Sequence, residues 1–80
     1  MKVLEFHAPW CAPCKTLSQT LASMNLTTPI EEIDIDEQPD IAAKYNIRGV
    51  PTMILLDANG LEIERLVGSK SRNELEKFVS

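Results

Sequence analysis

Hydrophobic positions along the chain switch between strand-like runs and the three- and four-residue spacing of helices. Residues 2–7 form a short, mostly apolar run that predicts a strand. After Cys11, apolar residues recur at helical spacing, and these positions are Cys14, Leu17, Leu21 and Met24. The spacing places Cys14 on the buried stripe of the helix and predicts that Cys11 lies at its exposed start.

A second strand and a second helix follow. Three isoleucines predict a strand over residues 30–36, and Pro39 opens a short helix for which Asn46 is a left-handed terminator. Two strands joined by a helical crossover lie parallel, and such crossovers are right-handed in nearly all proteins. The first half of the chain therefore predicts a βαβ unit.

The last third of the chain predicts a hairpin and then a helix. Residues 52–56 are strongly apolar, residues 57–60 have the composition of a turn, and residues 61–67 are the hairpin partner. Gly68 interrupts this pattern, and residues 71–74 have the Ser-x-x-Glu pattern of a capping box at a helix start. The predicted order is βαβαββα, an α/β fold with a four-stranded mixed sheet and helices on both faces.

Length and charge indicate one small domain over residues 1–80. No linker, repeat or low-complexity segment divides it. The net charge of −4 argues against a nucleic-acid partner, and we expect the acidic residues between Glu31 and Asp40 to form a solvated edge. No apolar stretch approaches the ~20 residues that span a bilayer, and the N-terminus lacks a signal-peptide pattern. We therefore expect a cytoplasmic protein with no membrane partner.

Cys11 and Cys14 are the only cysteines, and two residues separate them. A disulfide across so short a loop stabilises a fold little, because the entropic gain depends on loop length. In a chain with intracellular features, C-x-x-C beside a βαβ pattern is typical of a redox site. We expect the helix start to lower the pKa of Cys11, whose thiolate attacks a substrate disulfide. Cys14 then resolves the mixed disulfide and releases reduced substrate.

Three neighbours are expected to tune this pair. Ala12 and Pro13 set the turn between the cysteines, and Pro13 lies in the first helical turn, where its missing N–H is not needed. Lys15 adds a little positive potential, or is simply a solvated lysine.

Three segments carry a more specific pattern. They are VLEFHAPWCAPCK at residues 3–15, DEQP at residues 36–39 and KYNIRGVPT at residues 44–52. Together they resemble the thioredoxin family, and the resemblance extends over essentially the whole chain. Because W-C-x-P-C-K and G-V-P-T occur together at the right distance, the resemblance is highly specific.

The resemblance implies a substrate-binding surface. It implies a cis bond at Val50–Pro51, opposite the cysteines, and a Val50 backbone that pairs with an extended substrate segment. Trp10 is then an apolar rim beside the cysteines, and Gly68 leaves room for substrate. The alternative for Pro51 is an ordinary loop proline.

The chain also departs from the family pattern. Known thioredoxins have an extra strand and helix before the first strand predicted here, so the chain resembles the short, glutaredoxin-sized members. Ala12 replaces the usual glycine, which is tolerated if that residue is helical. Glu5 stands in place of the buried aspartate, and Glu32 aligns with the lysine that neighbours it. His7 stands where an aromatic residue is common; it tunes Cys11 electrostatically, or it is a packed, hydrogen-bonded ring.

Glu5 is the expected proton acceptor. Burial of a carboxylate among apolar strand residues disfavours the charged form, so we expect a raised pKa, and loss of the positive partner at position 32 makes Glu5 more basic. A raised carboxyl group near Cys14 accepts the proton of that thiol, directly or through water. The alternative is that Glu5 points to solvent from one face of the sheet.

Three other functions remain open on sequence grounds. A glutaredoxin that uses glutathione fits the length, but its Gly-Gly signature is missing, since only Gly68-Ser69 follows the last strand. A zinc site would use the cysteines and His7, although four ligands are the norm. A non-catalytic binding module would not need both cysteines. The favoured function is a monomeric protein disulfide reductase without cofactor or metal, recycled by thioredoxin reductase or the glutathione system.

Overall fold

Four strands form a mixed sheet that carries helices on both faces. The structure is a computed structural model and describes residues 1–79. The elements are β1 (Lys2–His7), α1 (Ala12–Ser23), β2 (Ile30–Asp34), α2 (Pro39–Lys44), β3 (Thr52–Leu56), β4 (Glu62–Val67) and α3 (Arg72–Val79). The strand order is β2-β1-β3-β4, in which β1 and β2 are parallel and the other pairs are antiparallel. The predicted element order and fold class are confirmed.

Helix α1 begins beside the first cysteine. Cys11 is its N-cap and has an extended backbone, while Pro13 lies in the first turn as predicted. The three- and four-residue spacing brings Cys14, Leu17 and Leu21 to the buried side of the helix. The helix therefore presents one sulfur at its start and another on its inner face.

The alternation of side chains along β1 separates two hydrophobic cores. Val3 faces α1 and α3, and Leu4 and Phe6 face the opposite side, where α2 packs. The central strand β3 is buried at all five of its residues, because both of its faces and both of its edges are covered. The two cores hold β1, and with it the residues that follow it, in a fixed position.

Two strand boundaries differ from the predictions. Strand β2 ends at Asp34 rather than at residue 36, because the Asp34 carboxylate accepts the backbone N–H of Asp36 at 2.8 Å and starts a turn. Strand β4 begins at Glu62 rather than at Leu61. There the Asp57 carboxylate accepts the backbone N–H of Leu61 at 2.9 Å and holds it in the loop.

The predicted helix signals are confirmed. Asn46 has φ of 56° immediately after α2 and its cap, in the left-handed region. At the start of α3, the backbone N–H of Glu74 donates to the Ser71 hydroxyl at 3.3 Å, and the Glu74 carboxylate accepts the backbone N–H of Ser71 at 3.5 Å. Among residues 1–79, no helix has the length and hydropathy needed to cross a bilayer.

Two isoleucines on the hairpin test the position of the core. Ile54 on β3 is fully buried and Ile63 on β4 is 52% exposed. We expect Ile54→Ala to lower the free energy of unfolding by about 2–5 kcal/mol, because it leaves a cavity. Ile63→Ala is expected to lower it by less than about 1 kcal/mol. Urea denaturation of both variants measures the difference, and equal losses would contradict the placement of Ile54 in the core.

Candidate active site

The two cysteines form a disulfide at the start of α1. Their Cα atoms lie 5.3 Å apart. The backbone N–H of Cys14 donates to the Cys11 sulfur at 3.2 Å, and the backbone N–H of Lys15 donates to the Cys11 carbonyl at 3.3 Å. The Cys11 sulfur thus receives one of the backbone N–H groups that a helix start leaves unpaired.

Cys11 is more buried than the sequence predicted. Its exposed fraction is 5%, against 2% for Cys14, so the prediction of an exposed Cys11 is wrong. The start of the helix is exposed, but the Cys11 side chain points inward, because its sulfur is bonded to Cys14 and packs with Ala8, Ile35 and Val50. The Cys11 Sγ lies 3.7 Å from the Val50 carbonyl oxygen.

Trp10 projects from the surface next to Cys11. Its side chain is 67% exposed, and its indole Nε1 donates to the Asp36 carboxylate at 3.0 Å. The sequence did not single out Asp36 as a site residue. A signal was present, because the segments that follow parallel strands lie at the same edge of a sheet, and Cys11 follows β1 while Asp36 follows β2.

The loop before β3 lies against the disulfide. The Val50–Pro51 peptide bond is cis, as the resemblance implied. The Thr52 hydroxyl donates to the Gly49 carbonyl at 2.8 Å, and the Gly68 N–H donates to the Pro51 carbonyl at 2.8 Å. These hydrogen bonds fix both sides of the loop, and Val50 packs against the cysteine pair.

Gly68 follows β4 in a conformation that favours glycine. Its φ is 88°, and nothing lies within 4 Å of the position that a Cβ atom would take. The positive φ therefore explains why glycine occupies this position, and the space beside it is open.

The residues expected to tune the cysteines occupy different environments. Ala12 is helical and exposed, the condition under which its replacement of glycine is tolerated. Pro13 and Lys15 are also exposed. His7 is half-buried and lines a cleft of about 260 Å³ together with Cys14.

Glu5 lies on the face of β1 that α1 covers and is 1% exposed, so the alternative in which it points to solvent is wrong. One carboxylate oxygen, Oε1, accepts the Ser18 hydroxyl at 3.3 Å, and the other, Oε2, has no hydrogen-bond partner among residues 1–79. Burial raises the pKa of Glu5 above its ordinary value, and the neighbouring charge of Glu32 raises it further. His7 and the hydrogen bond from Ser18 oppose this rise in pKa.

The position of Glu32 explains its effect on Glu5. Strands β1 and β2 pair in parallel, with Glu5 directly beside Glu32. Two carboxylates on neighbouring strands repel each other, so the charge of Glu32 favours the protonated form of Glu5.

The side chains that could ligate a metal ion are dispersed. In the described part of the chain, residues 1–79, no group of three or more histidine, cysteine or acidic side chains is arranged to hold a metal ion.

The raised pKa of Glu5 predicts a pH-dependent loss of stability. The folded chain binds this proton more tightly than the unfolded chain, whose value is near 4.5. The stability that the proton provides is fully present below that pH and is lost as the pH rises through the folded pKa. Glu5→Gln cannot titrate, so its free energy of unfolding should rise relative to that of the parent across this window. Urea denaturation at several pH values measures this difference; a difference that does not change with pH would contradict the prediction.

Comparisons with known proteins agree with this geometry. The family model named Thioredoxin matches residues 1–80. Thioredoxin H2 of Arabidopsis thaliana is 38% identical over 98% of this chain, which spans only 59% of the plant protein. Thioredoxin of Chlamydia trachomatis is also 38% identical, and the chain covers 78% of it. A prophage-derived thioredoxin-like protein of Bacillus subtilis, YosR, is 37% identical, with 99% of this chain and 95% of YosR covered.

A solved structure gives the same result for the fold. A mutant thioredoxin from Halobacterium salinarum superposes with a TM-score of 0.86 and is 32% identical, covering 96% of this chain and 69% of that chain. The C-x-x-C disulfide of residues 11–14 lies at the start of α1. The chain therefore belongs to the thioredoxin family, and its Cys11–Cys14 pair supports the thiol–disulfide oxidoreductase activity of that family.

Proposed function

We propose that residues 1–80 form a single-domain protein disulfide reductase that cycles Cys11 and Cys14 between dithiol and disulfide. One observation carries the proposal: the Cys11 sulfur lies at the start of α1 and accepts the backbone N–H of Cys14 at 3.2 Å. The same bond stabilises negative charge on this sulfur once the disulfide is reduced.

In the first step, the Cys11 thiolate attacks one sulfur of a substrate disulfide. The bond between Cys11 and that sulfur forms, the substrate disulfide breaks, and the other substrate sulfur leaves as a thiolate that takes up a proton. Cys11 is the nucleophile because its sulfur lies at the N-cap of α1 and accepts a backbone N–H, whereas Cys14 lies on the inner side of the helix.

In the second step, Cys14 resolves the mixed disulfide. Its thiol loses a proton, and the thiolate attacks the Cys11 sulfur, so that the bond to the substrate breaks and the Cys11–Cys14 disulfide forms. The substrate leaves with two electrons more than it brought. The 5.3 Å between the two Cα atoms is within the range that a disulfide requires.

The substrate binds across Trp10, Val50, Pro51 and Gly68. Trp10 offers an exposed apolar surface on one side of the cysteines, and Val50 contacts them on the other. An extended substrate segment pairs with the backbone at Val50, as peptides do when they add to a sheet edge. The Gly68 N–H donates to the Pro51 carbonyl, and the open space beside Gly68 leaves room for the substrate segment.

Glu5 accepts the proton that Cys14 gives up. Its burial and its raised pKa make it a stronger base than an exposed carboxylate, and its unpartnered Oε2 can still accept a hydrogen bond. Four residues around the cysteine pair influence its reactivity, and these are His7, Ala12, Pro13 and Lys15.

The expected setting is the cytoplasm, where the reduced dithiol persists. The partners are proteins with accessible disulfides and a reductase that restores the dithiol, and the protein acts as a monomer. Recycling by a thioredoxin reductase would favour this function, whereas recycling by glutathione alone would indicate a glutaredoxin.

Replacing each cysteine should separate the two steps. We expect Cys11→Ser to abolish insulin reduction without forming a covalent complex, because the nucleophile is lost. Cys14→Ser should instead accumulate a mixed disulfide with the substrate, since nothing resolves it. Mass spectrometry under non-reducing conditions detects the complex. Trapping by Cys11→Ser but not by Cys14→Ser would reverse the assigned roles.

Glu5→Gln should slow the second step only. Gln cannot take up the proton of Cys14, so substrate release should slow by about 100-fold, which is within the range of positioned proton transfer. The first attack should keep its rate. Stopped-flow measurement with a chromogenic aromatic disulfide resolves both steps, because each releases one coloured thiolate. Equal rates for variant and parent in both steps would rule out the role of Glu5.

A further inference from the structure

Ser18 lies between the two groups that the second step connects. It follows Cys14 by four residues on α1, so the two side chains are neighbours on one face of the helix. One cleft, of about 260 Å³, is lined by His7, Ala8, Pro9, Cys14, Lys15 and Ser18. A second, of about 330 Å³, is lined by Glu5, Ser18, Leu21, Ala22, Ile30 and Glu32. Ser18 is the residue that these two clefts share.

The Ser18 hydroxyl already contacts the proposed proton acceptor. It donates to Glu5 Oε1 at 3.3 Å. A hydroxyl carries one donor and two acceptor sites, so a hydroxyl that donates to Glu5 can still accept a hydrogen bond from a thiol. The side chain is half-buried, which keeps this bond partly shielded from solvent.

We propose that Ser18 is a proton relay that passes the proton of Cys14 to Glu5 during substrate release. This inference rests on the proposed function. In the step, the Cys14 thiol gives its proton to the Ser18 oxygen while the Ser18 hydroxyl proton moves to the Glu5 carboxylate. Ser18 is left as a neutral hydroxyl, Glu5 as a carboxylic acid and Cys14 as the thiolate that attacks Cys11.

Most charges around the path favour this direction of transfer, although His7 opposes the rise in the pKa of Glu5. Glu32 faces Glu5 from β2, and burial and this charge both raise the pKa of Glu5. His7 and Lys15 face the cleft of Cys14, and a positive charge there favours the thiolate. On the β3 side Glu5 pairs with Met53, an apolar residue of the core that α1 and α3 cover.

Removal of the Ser18 hydroxyl tests the relay without disturbing the fold. Ser18→Ala keeps the helix, because alanine is the best helix former. With the chromogenic aromatic disulfide, we expect release by this variant to be slower by about 100-fold, the lower end of what positioned proton transfer contributes. The first attack should be unchanged. Ser18→Thr keeps a hydroxyl and should restore most of the rate.

The pH profile shows whether the hydrogen bond from Ser18 acts on Glu5 during substrate release. The bond from Ser18 lowers the pKa of Glu5, so its loss in Ser18→Ala should move the acidic limb of the release rate to higher pH. The matched control is Thr16→Ala, which removes an exposed hydroxyl from the same helix. In the parent this hydroxyl donates to the Ala12 carbonyl at 3.4 Å. The control should keep the rates and pH profile of the parent.

A double variant shows whether Ser18 acts through Glu5. If it does, Ser18→Ala slows the parent but adds nothing to Glu5→Gln. The relay is overturned if Ser18→Ala releases substrate at the parent rate, if it slows both steps equally, or if its effect persists in full beside Glu5→Gln. A parent chain that reduces no disulfide would instead overturn the proposed function, so the two failures are distinguishable.

Discussion

The hydrogen bond from the backbone N–H of Cys14 to the Cys11 sulfur is the contact on which this site depends. It exists because Cys11 ends an extended segment and becomes the N-cap of α1, with a proline in the first turn. The bond places one sulfur where a helix favours negative charge and turns the next one toward the core. The sheet supports this arrangement, since two hydrophobic cores hold β1 on both of its faces.

A buried carboxyl group constrains the other side of the site. Glu5 occupies a position that an apolar residue would fill at a lower free-energy cost, and Glu32 lies beside it without a neighbouring positive charge in the ladder. At this position, the charge that a proton acceptor must carry lowers the stability of the fold. The charged form destabilises the fold, and the same destabilisation makes the carboxylate a better proton acceptor.

The sequence was sufficient for the order of the elements and for the position of Cys14, because those signals were local. Helical spacing located Cys14 on the inner face of α1, and the Ser71 and Glu74 pattern located the last helix. The burial of Cys11 was not predicted, because it depends on Ala8, Ile35 and Val50, which approach it only in the folded chain. The bond between Trp10 and Asp36 joins residues 26 positions apart, and it follows from strand pairing rather than from any motif.

The alkylation rate of reduced Cys11 as a function of pH tests the central claim most directly. If the start of α1 stabilises the thiolate, iodoacetamide should modify Cys11 faster than free cysteine at mildly acidic pH, and Cys14 should remain unmodified. Peptide mapping by mass spectrometry assigns the modified sulfur. A Cys11 that reacts no faster than free cysteine, or more slowly than Cys14, would contradict the account.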